Sequence, residues 1–199
     1  LNDKILHGGI NIIESNLDIS NLSIRNSLSE DAINIISSVS NVNNLKVSET
    51  FSDAIDVDFG KINFQKIYCK NVNNDCFDIS GGSVKGEYLE ATNISDKGIS
   101  FGEESKGKIN LVNLKKNYLA IAVKDGSNLF IEESNLTNND FDVSVFKKKS
   151  EFGNAKLVLS KTNNPENLKA LIGKKNEFLS GKVLNYNKVD NNFIYNLFY

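Results

Sequence analysis

The feature that most constrains this chain is a repeat of 22 residues that runs without a slip from position 33 to position 143. Two apolar columns keep this spacing, and a polar or small residue stands between them. The columns are Ile33, Ile55, Phe77, Ile99, Ile121 and Val143, and Ile35, Val57, Ile79, Phe101, Val123 and Val145. A helix needs apolar spacings of three and four, so this alternation predicts a strand with one buried face.

A strand that recurs once per turn is typical of a solenoid. Further inward positions follow each leading strand and predict a second and a third strand in every turn. Ile62, Phe64, Ile67, Cys69 and Val72 are matched 22 residues later by Val84, Gly86, Leu89, Ala91 and Ile94. The predicted fold is all-β: a single-stranded, right-handed parallel β-helix of about seven coils of 22 residues.

The repeat stops after Leu159, which predicts a β-helix over residues 1–160 and a small mixed α/β C-terminal cap over 161–199. Pro165 is expected to begin a helix that runs to Ile172 and is ended by Gly173. The aromatic residues at 193–199 are expected to fold over the last coil, because the end of a solenoid has to be covered.

The N-terminal end also predicts a neighbour. Gly9 to Ile12 already resemble a coil, so something upstream is needed to cover its open end. The chain contains no Met and begins with Leu1, and we interpret it as the C-terminal part of a longer protein with upstream domains. It has no apolar run long enough to cross a membrane, so no membrane insertion is expected.

Charge is distributed unevenly. Residues 1–146 contain 13 Lys or Arg against 21 Asp or Glu, whereas residues 147–188 contain 10 Lys against 3 Glu. An acidic solenoid argues against nucleic acid as a partner. The basic stretch is interpreted as a solvated cap.

Several residues have structural interpretations. Cys69 and Cys76 are too few for a disulfide framework and are expected to fill tight core positions as small residues. His7 is the only histidine, so neither a zinc site nor a histidine-based triad is expected. One corner column is predicted to form hydrogen-bonded stacks of side chains along the axis. Its members are Asn73, Ser95, Asn117 and Asn139.

Carboxylates concentrate on two adjacent coils. Asp53 precedes Asp75, and Asp56 precedes Asp78, by 22 residues each, which places each pair one coil apart, or about 5 Å. Lys97 and Lys124 follow on later coils. Carboxylates this close repel, so either a proton, a lysine or a cation is expected among them.

Three interpretations of this cluster remain open. Asp side chains at corners accept backbone N–H bonds, which makes a purely structural role the first interpretation. The second is a calcium site formed by Asp56, Asp58 and Asp78. The third is a catalytic site in which Asp53, Asp75, Asp56, Asp78, Lys97 and Lys124 act on a glycosidic bond, with one carboxyl as acid and another as base or nucleophile.

The cluster resembles the pectin-lyase-like superfamily, in the register of the polygalacturonases. Residues 52–56 lie where that family has NTDGID, 74–76 where it has DDC, 97–100 where it has GHGIS and 122–124 where it has RIK. The resemblance implies catalytic roles for Asp53 and Asp75 and a subsite role for Lys124. Asn74, Lys97 and Ala122 replace an Asp, a His and an Arg of those motifs, so polygalacturonase activity itself is not expected.

Most of the chain is also similar to a group of bacterial right-handed β-helix proteins without a settled activity. The matching segments include SEDAINIIS at 29–37, FSDAIDVDF at 51–59 and SDKGISFGEES at 95–105. This resemblance implies part of a larger bacterial protein that is extracellular or on the cell surface.

The function expected from these observations is a carbohydrate-associated domain that binds or presents a linear polysaccharide along a solenoid face. Tyr68, Tyr88 and Tyr118 are candidates for stacking on sugars, since the chain has no Trp. The alternatives are a polysaccharide lyase, epimerase or glycoside hydrolase that uses the Asp cluster, with calcium as its only candidate cofactor, and a structural spacer without a ligand.

Overall fold

A computed structural model describes residues 6–163, 165–181, 186 and 188–199, so the first five residues of the predicted solenoid domain lie outside the described residues. The chain winds into a parallel β-solenoid of about eight turns, where the sequence predicted about seven coils. Each turn contributes one strand to each of two parallel sheets. The predicted fold class is confirmed.

The first sheet has nine strands in chain order along the axis. They are β1 (Gly8–Ile13), β3 (Asp31–Ile36), β5 (Asp53–Asp58), β7 (Phe77–Ser80), β9 (Lys97–Gly102), β11 (Leu119–Lys124), β13 (Phe141–Phe146), β15 (Ala170–Gly173) and β17 (Lys188–Val189). The pairing confirms the repeat, because Ile33 lies beside Ile55 and Asp56 beside Asp78. Equivalent residues therefore form columns parallel to the axis.

The second sheet has eight strands. They are β2 (Asn16–Arg25), β4 (Val39–Thr50), β6 (Lys61–Val72), β8 (Ser83–Ile94), β10 (Lys106–Lys115), β12 (Asn128–Thr137), β14 (Lys156–Thr162) and β16 (Glu177–Ser180). The sequence predicted a second and a third strand after each leading strand. In the structure one long, bent strand takes the place of both. In β6, Gln65 and Lys66 are exposed in succession, and the pairing with β4 skips Gln65. This shift in the alternation of inward and outward residues bends the strand, while its hydrogen bonds to the neighbouring strands continue on both sides of the bend.

Left-handed residues form the corners. After each strand of the first sheet from β1 to β11 stands a residue with φ near +50° to +70°, such as Ser37, Phe59 or Gly81. A second column at the ends of the second-sheet strands includes Asn71 and Asn93. Asn tolerates this conformation better than most residues, and the Asn93 amide donates to Asn71 Oδ1 at 2.8 Å.

The core is one apolar column that both sheets enclose. The leading-strand residues predicted to be buried are buried, and so are Ile62, Ile67 and Leu89 of the second sheet. Gly86 makes room for a large neighbour, because a Cβ there would lie 2.1 Å from the Phe64 ring. The side chains of neighbouring turns thus complement one another in size.

The predicted small C-terminal cap is confirmed, but the position of its helix is wrong. Residues 165–173 do not form a helix: a 3₁₀ turn at Pro165–Asn167 leads into strand β15, because the chain resumes the ladder with β13. The only α-helix in the described part of the chain is α1 (Asn191–Phe198), capped by the Asp190 side chain, which accepts the Asn192 N–H. This helix packs on the outside of the first sheet, in a cluster separate from the main core.

The prediction for the cysteines needs a correction. Cys69 and Cys76 do occupy tight core positions, at 2% and 0% exposure, but they are joined as a disulfide. The cross-link bridges the corner between β6 and β7, with Cα atoms 5.8 Å apart. The repeat places each residue correctly within its own column, but it does not show that the two columns meet across the corner.

The predicted stack at Asn73, Ser95, Asn117 and Asn139 is also different in detail. Asn117 and Asn139 bond to the backbone of the preceding turn, because Asn117 Oδ1 accepts the Ile94 N–H and Asn139 Oδ1 accepts the Asn117 N–H. Stacks of amide side chains do occur, but on the outer face of the second sheet, where Asn63 donates to Asn41 and Asn41 donates to Asp18.

The double variant Cys69→Ala/Cys76→Ala is expected to lower the free energy of unfolding by about 2–3 kcal/mol, because the disulfide closes a short loop in the unfolded chain. Urea denaturation of the variant and the wild type measures this loss. Wild-type protein unfolded without reductant is the control, and two titratable thiols in it would contradict the cross-link.

Candidate functional site

The candidate site is the outer face of the first sheet, where three columns of side chains point away from the core. The column at the strand starts runs Asp31, Asp53, Asp75, Lys97, Leu119 and Phe141. The middle column runs Asn34, Asp56, Asp78, Ser100, Ala122 and Ser144. The third runs Ile36, Asp58, Ser80, Gly102, Lys124 and Phe146. The face thus changes along the axis from acidic to basic to apolar.

Asp53 and Asp75 have structural roles that the sequence anticipated. Asp53 Oδ1 accepts the backbone N–H of Asp75 at 2.7 Å, and Asp75 Oδ1 accepts the backbone N–H of Lys97 at 2.9 Å. Each carboxyl group therefore ties the start of one strand to the start of the next. Such bonds hold these side chains in fixed positions at the edge of the site.

Asp56 and Asp78 are held less tightly. The Asn34 amide donates to Asp31 at 2.7 Å and to Asp56 at 3.4 Å. Asn34 Oδ1 and Asp78 Oδ1 are buried, and neither accepts a hydrogen bond from any described residue. A buried acceptor without a donor is costly, so both oxygens add to the energetic cost of crowding polar groups on this part of the face.

Crowding alters the acidity of the cluster. Burial, followed by the Asp75 charge, raises the pKa of Asp53 to about 8. Burial, followed by the charges of Asp58 and Asp78, raises the pKa of Asp56 to about 9. Burial also raises the pKa values of Asp31 and Asp58. At neutral pH the cluster therefore contains protonated carboxyl groups, which can donate as well as accept hydrogen bonds.

Lys97 lies at the basic edge of the cluster and is 2% exposed. Its ammonium group is 3.5 Å from Asp75 Oδ1 and also bonds to Asp96. Burial disfavours the charged form, but Asp75, Tyr199 and Asp96 outweigh it and raise the pKa of Lys97. Burial raises the pKa of Asp75 to about 7, and the Lys97 charge offsets part of that rise.

Lys124 is likewise buried and charged. Its ammonium group donates to Ser100 Oγ at 2.8 Å and to the Tyr199 hydroxyl at 3.0 Å. Burial lowers its pKa, but the charges of Asp78 and Asp75 and the Tyr199 hydroxyl more than compensate. The structure thus brings Lys97 and Lys124 to the edge of the Asp cluster, as the repeat predicted.

The helix α1 closes the site on one side. Ile194 and Phe198 pack on Leu119, Ala122 and Phe146, which are outward residues of β11 and β13. Beyond the helix, the Tyr199 ring lies over Lys148, Lys97 and Lys124, with ring centroid to Nζ distances of 3.6, 4.6 and 5.5 Å. The strands that carry the acidic residues, β3, β5 and β7, lie outside the part of the face that α1 covers.

Sequence reasoning missed three members of the site: Asp31, Lys148 and Tyr199. Asp31 had a signal, because it stands 22 residues before Asp53 and continues the same column. Apolar outward residues at Leu119 and Phe146 also indicated that something covers this part of the face. No sequence pattern indicated that Tyr199 and Lys148 would lie at the site, because both residues are outside the 22-residue repeat.

The calcium prediction receives no geometric support. Within the described ranges, no group of three or more His, Cys, Asp or Glu side chains gathers closely enough to hold a metal ion. Asp56, Asp58 and Asp78 share the face without converging as a ligand set. Repulsion among them is relieved by protonation and by the neighbouring lysines.

The three tyrosines do not form one platform. Tyr68 and Tyr88 are neighbours on the outer face of the second sheet, with ring centroids 5.6 Å apart. Tyr118 instead packs edge-on against Phe141 and Phe198 beside α1. Only the first two are therefore placed for stacking on a sugar.

Comparison with family models, with curated proteins and with solved structures finds no match to this chain. The β-solenoid fold is therefore established by the structure alone. Among the described residues, no helix is both long and apolar enough to span a bilayer.

The crowded carboxyls predict that stability falls as the pH rises. The folded-state pKa is about 8 for Asp53 and about 9 for Asp56, well above the ordinary aspartate value of about 4, so the folded protein binds extra protons between about pH 4 and pH 9. That stabilisation is fully present below pH 4 for these groups and is lost as they ionise. Asp56→Asn is expected to be more stable than the wild type at pH 9 by about 1–3 kcal/mol.

Urea denaturation at pH 5, 7 and 9 measures the effect, with Asp140→Asn, an exposed aspartate outside the cluster, as the control. The advantage of Asp56→Asn should shrink towards pH 5. An equal advantage at all three pH values would contradict protonation of Asp56 in the folded state.

Tyr199→Ala is expected to expose the lysines beneath the ring, because the Tyr199 ring lies over their ammonium groups. Acylation of Lys97 and Lys124, followed by peptide mass spectrometry, should become several-fold faster in the variant. Tyr195→Ala is the matched control, since that ring stacks on Tyr199 and contacts none of the three lysines. Unchanged labelling in Tyr199→Ala would show that the ring does not shield them.

Proposed function

We propose that this chain is a carbohydrate-associated β-helix domain that binds a linear glycan along the outer face of the first sheet. The observation that supports this most directly is the pair Asp56 and Asp78, which lie in register on neighbouring strands of the uncovered part of that face. Sugars present many hydroxyl groups that both donate and accept hydrogen bonds. A surface of mixed protonated and ionised carboxyls offers both kinds of partner.

The chemistry of the face favours a neutral or amino-substituted glycan. The carboxyls of the cluster that stay ionised would repel an anionic chain, whereas an amino group would find carboxylates, and sugar hydroxyls would find the protonated carboxyls of Asp53 and Asp56. The partly exposed carboxyls of Asp56 and Asp58 would exchange hydrogen bonds with sugar hydroxyls. Because equivalent residues repeat about every 4.8 Å along the axis, a linear polymer lying parallel to it would meet similar groups at each turn.

We further propose membership of the pectin-lyase-like superfamily and an extracellular or cell-surface location in a bacterium. The β-solenoid fold and the aspartate columns support the first. The Cys69–Cys76 disulfide supports the second, since disulfides persist in oxidising compartments.

A second candidate function is cleavage or modification of the bound glycan. Asp56 keeps a proton at neutral pH, as a general acid must, and Asp78 is one strand away, or about 4.8 Å. Retaining glycosidases place their two carboxyls about 5–5.5 Å apart. In this reaction Asp56 would protonate the leaving oxygen while the Asp78 carboxylate attacks the anomeric carbon, and water, deprotonated by Asp56, would then hydrolyse the glycosyl–Asp78 ester. Lys97 and Lys124 would balance the carboxylate charge, and Asp53 and Asp75 would hold the strand starts in place.

Binding to an array of neutral, amino-substituted and acidic glycans tests the proposal. We expect wild-type protein to retain neutral or amino-substituted linear glycans, and Asp56→Asn/Asp78→Asn to lose at least about tenfold in affinity for them through the lost charge-assisted hydrogen bonds. Asp140→Asn/Glu151→Gln removes two carboxylates from exposed positions outside the cluster and is the control. Glycan binding that survives the Asp56/Asp78 change would overturn the proposal.

The array hits also decide between binding and catalysis. New reducing ends, or unsaturated products, formed by wild type and not by Asp56→Asn would establish the enzyme. Retained binding without any product would favour a binding domain.

A further inference from the structure

A second charged surface lies on the outer face of the second sheet. Four lysines form it: Lys61 of β6, Lys85 of β8, and Lys106 and Lys108 of β10. All four are exposed. We call this group the lysine patch, and none of its members belongs to the acidic face described above.

The pairing of the strands concentrates these charges. Lys85 lies directly beside Lys108, and Lys106 stands two residues before Lys108 on the same face of β10. Lys61 is in the column of Lys106, with Ser83 between them. Neighbouring strands are about 4.8 Å apart and residues along a strand about 3.3 Å apart, so all four side chains start within roughly 12 Å of one another.

Such an arrangement is unfavourable without an anion. Like charges directly opposite on adjacent strands destabilise a sheet. No carboxylate of the described residues lies within 4.0 Å of any ammonium group of the patch. Two nearby acidic residues are engaged with amides, because Asp18 accepts from Asn41 and Glu87 accepts from Asn110. Glu104 lines a shallow groove with Lys61 and Lys106, and its carboxylate also lies beyond 4.0 Å from their ammonium groups.

Two grooves flank the patch. One, of about 640 Å³, runs along the bend of β2, β4, β6 and β8 and is lined by Lys61, Lys85, Asn41 and Asn63 among others. The other, of about 590 Å³, is lined by Lys106, Asn128, Phe130 and Lys156 among others. Lys156 pairs with Glu177 at 2.9 Å, and Lys108 lies over the Phe130 ring at 5.4 Å. Beyond the patch the first groove is lined by amides and by Asp18 and Glu87, whereas the second adds one further lysine, Lys156.

We propose that the lysine patch and its two grooves bind a linear acidic polysaccharide, one that carries carboxylate or sulfate groups. Anions spaced about 5 Å apart would match the spacing of the turns. Asn41, Asn63 and Asn128 would supply hydrogen bonds for the sugar hydroxyls between the charges. A nucleic acid fits less well, because its phosphates are about 3.4 Å apart on each strand and the patch lacks a row of aromatic side chains for its bases.

This site is separate from the glycan site of the first sheet in residues and in charge. The acidic face would repel the polymer that the lysine patch attracts. The two proposals therefore fail independently, because a different set of substitutions tests each of them.

The test is binding of polygalacturonate and dextran sulfate, measured by calorimetry at low and at physiological ionic strength, with neutral dextran as a blank. The variant replaces all four lysines of the patch with glutamine: Lys61→Gln, Lys85→Gln, Lys106→Gln and Lys108→Gln. We expect it to bind at least one of the acidic polymers about tenfold or more weakly than wild type, and we expect wild-type binding to weaken with salt.

The matched control removes the same number of charges from other exposed positions of the same sheet: Lys66→Gln, Lys70→Gln, Lys115→Gln and Lys161→Gln. It should bind within about threefold of wild type, since those ammonium groups lie outside the patch. The patch and control variants are both exposed-surface changes, and equal melting temperatures would exclude loss of fold as the cause.

Three results would overturn the proposal: no binding of either acidic polymer by wild type, equal loss in the patch and control variants, or displacement of the polysaccharide by single-stranded DNA at lower concentration. The last result would assign the surface to nucleic acid. Loss of acidic-polymer binding in Asp56→Asn/Asp78→Asn, with the patch variant unaffected, would place the polymer on the first sheet instead.

Discussion

Every part of this molecule depends on the parallel ladder between equivalent strands of successive turns. Parallel strands cannot be joined by a hairpin, so the chain must complete a full turn of the solenoid between one strand and its hydrogen-bonded partner. The 22-residue period of the chain is the length of that circuit. Because the period is constant from Ile33 to Val143, every side chain lies beside its equivalent, and one substitution per turn changes a whole column.

The same ladder explains why charge is concentrated. In a globular protein, two aspartates 22 residues apart have no reason to meet, whereas in this solenoid Asp56 and Asp78 are neighbours. Their repulsion is not dispersed by solvent, because the columns on both sides are also filled. Protonation of Asp53 and Asp56 and the proximity of Lys97 and Lys124 are the responses that the fold permits.

The repeat made most of the fold and half of the candidate site predictable. It placed the leading strand, the corner bonds of Asp53 and Asp75 and the neighbouring positions of the two lysines. The predictions were wrong where the chain departs from the 22-residue repeat or where residues of different columns meet. Pro165 suggested a helix from local preference, but pairing of β15 with β13 prevailed. The Cys69–Cys76 disulfide joins residues of two different columns. The 22-residue repeat predicts which residues are neighbours within one column, but not which columns are in contact.

Helix α1 shows how the outward columns direct a segment that lies outside the repeat. Its apolar side needs apolar partners, and the first sheet offers them only where Leu119, Ala122 and Phe146 replace the charged residues of earlier turns. Had the acidic columns continued, Phe198 would have faced carboxylates, and burying them would have cost more than the ring gains. The change of composition after β9 therefore sets where the helix ends, and with it the position of Tyr199 over the lysines. The boundary between the open and the covered part of the face is thus encoded in the outward columns, one residue per turn.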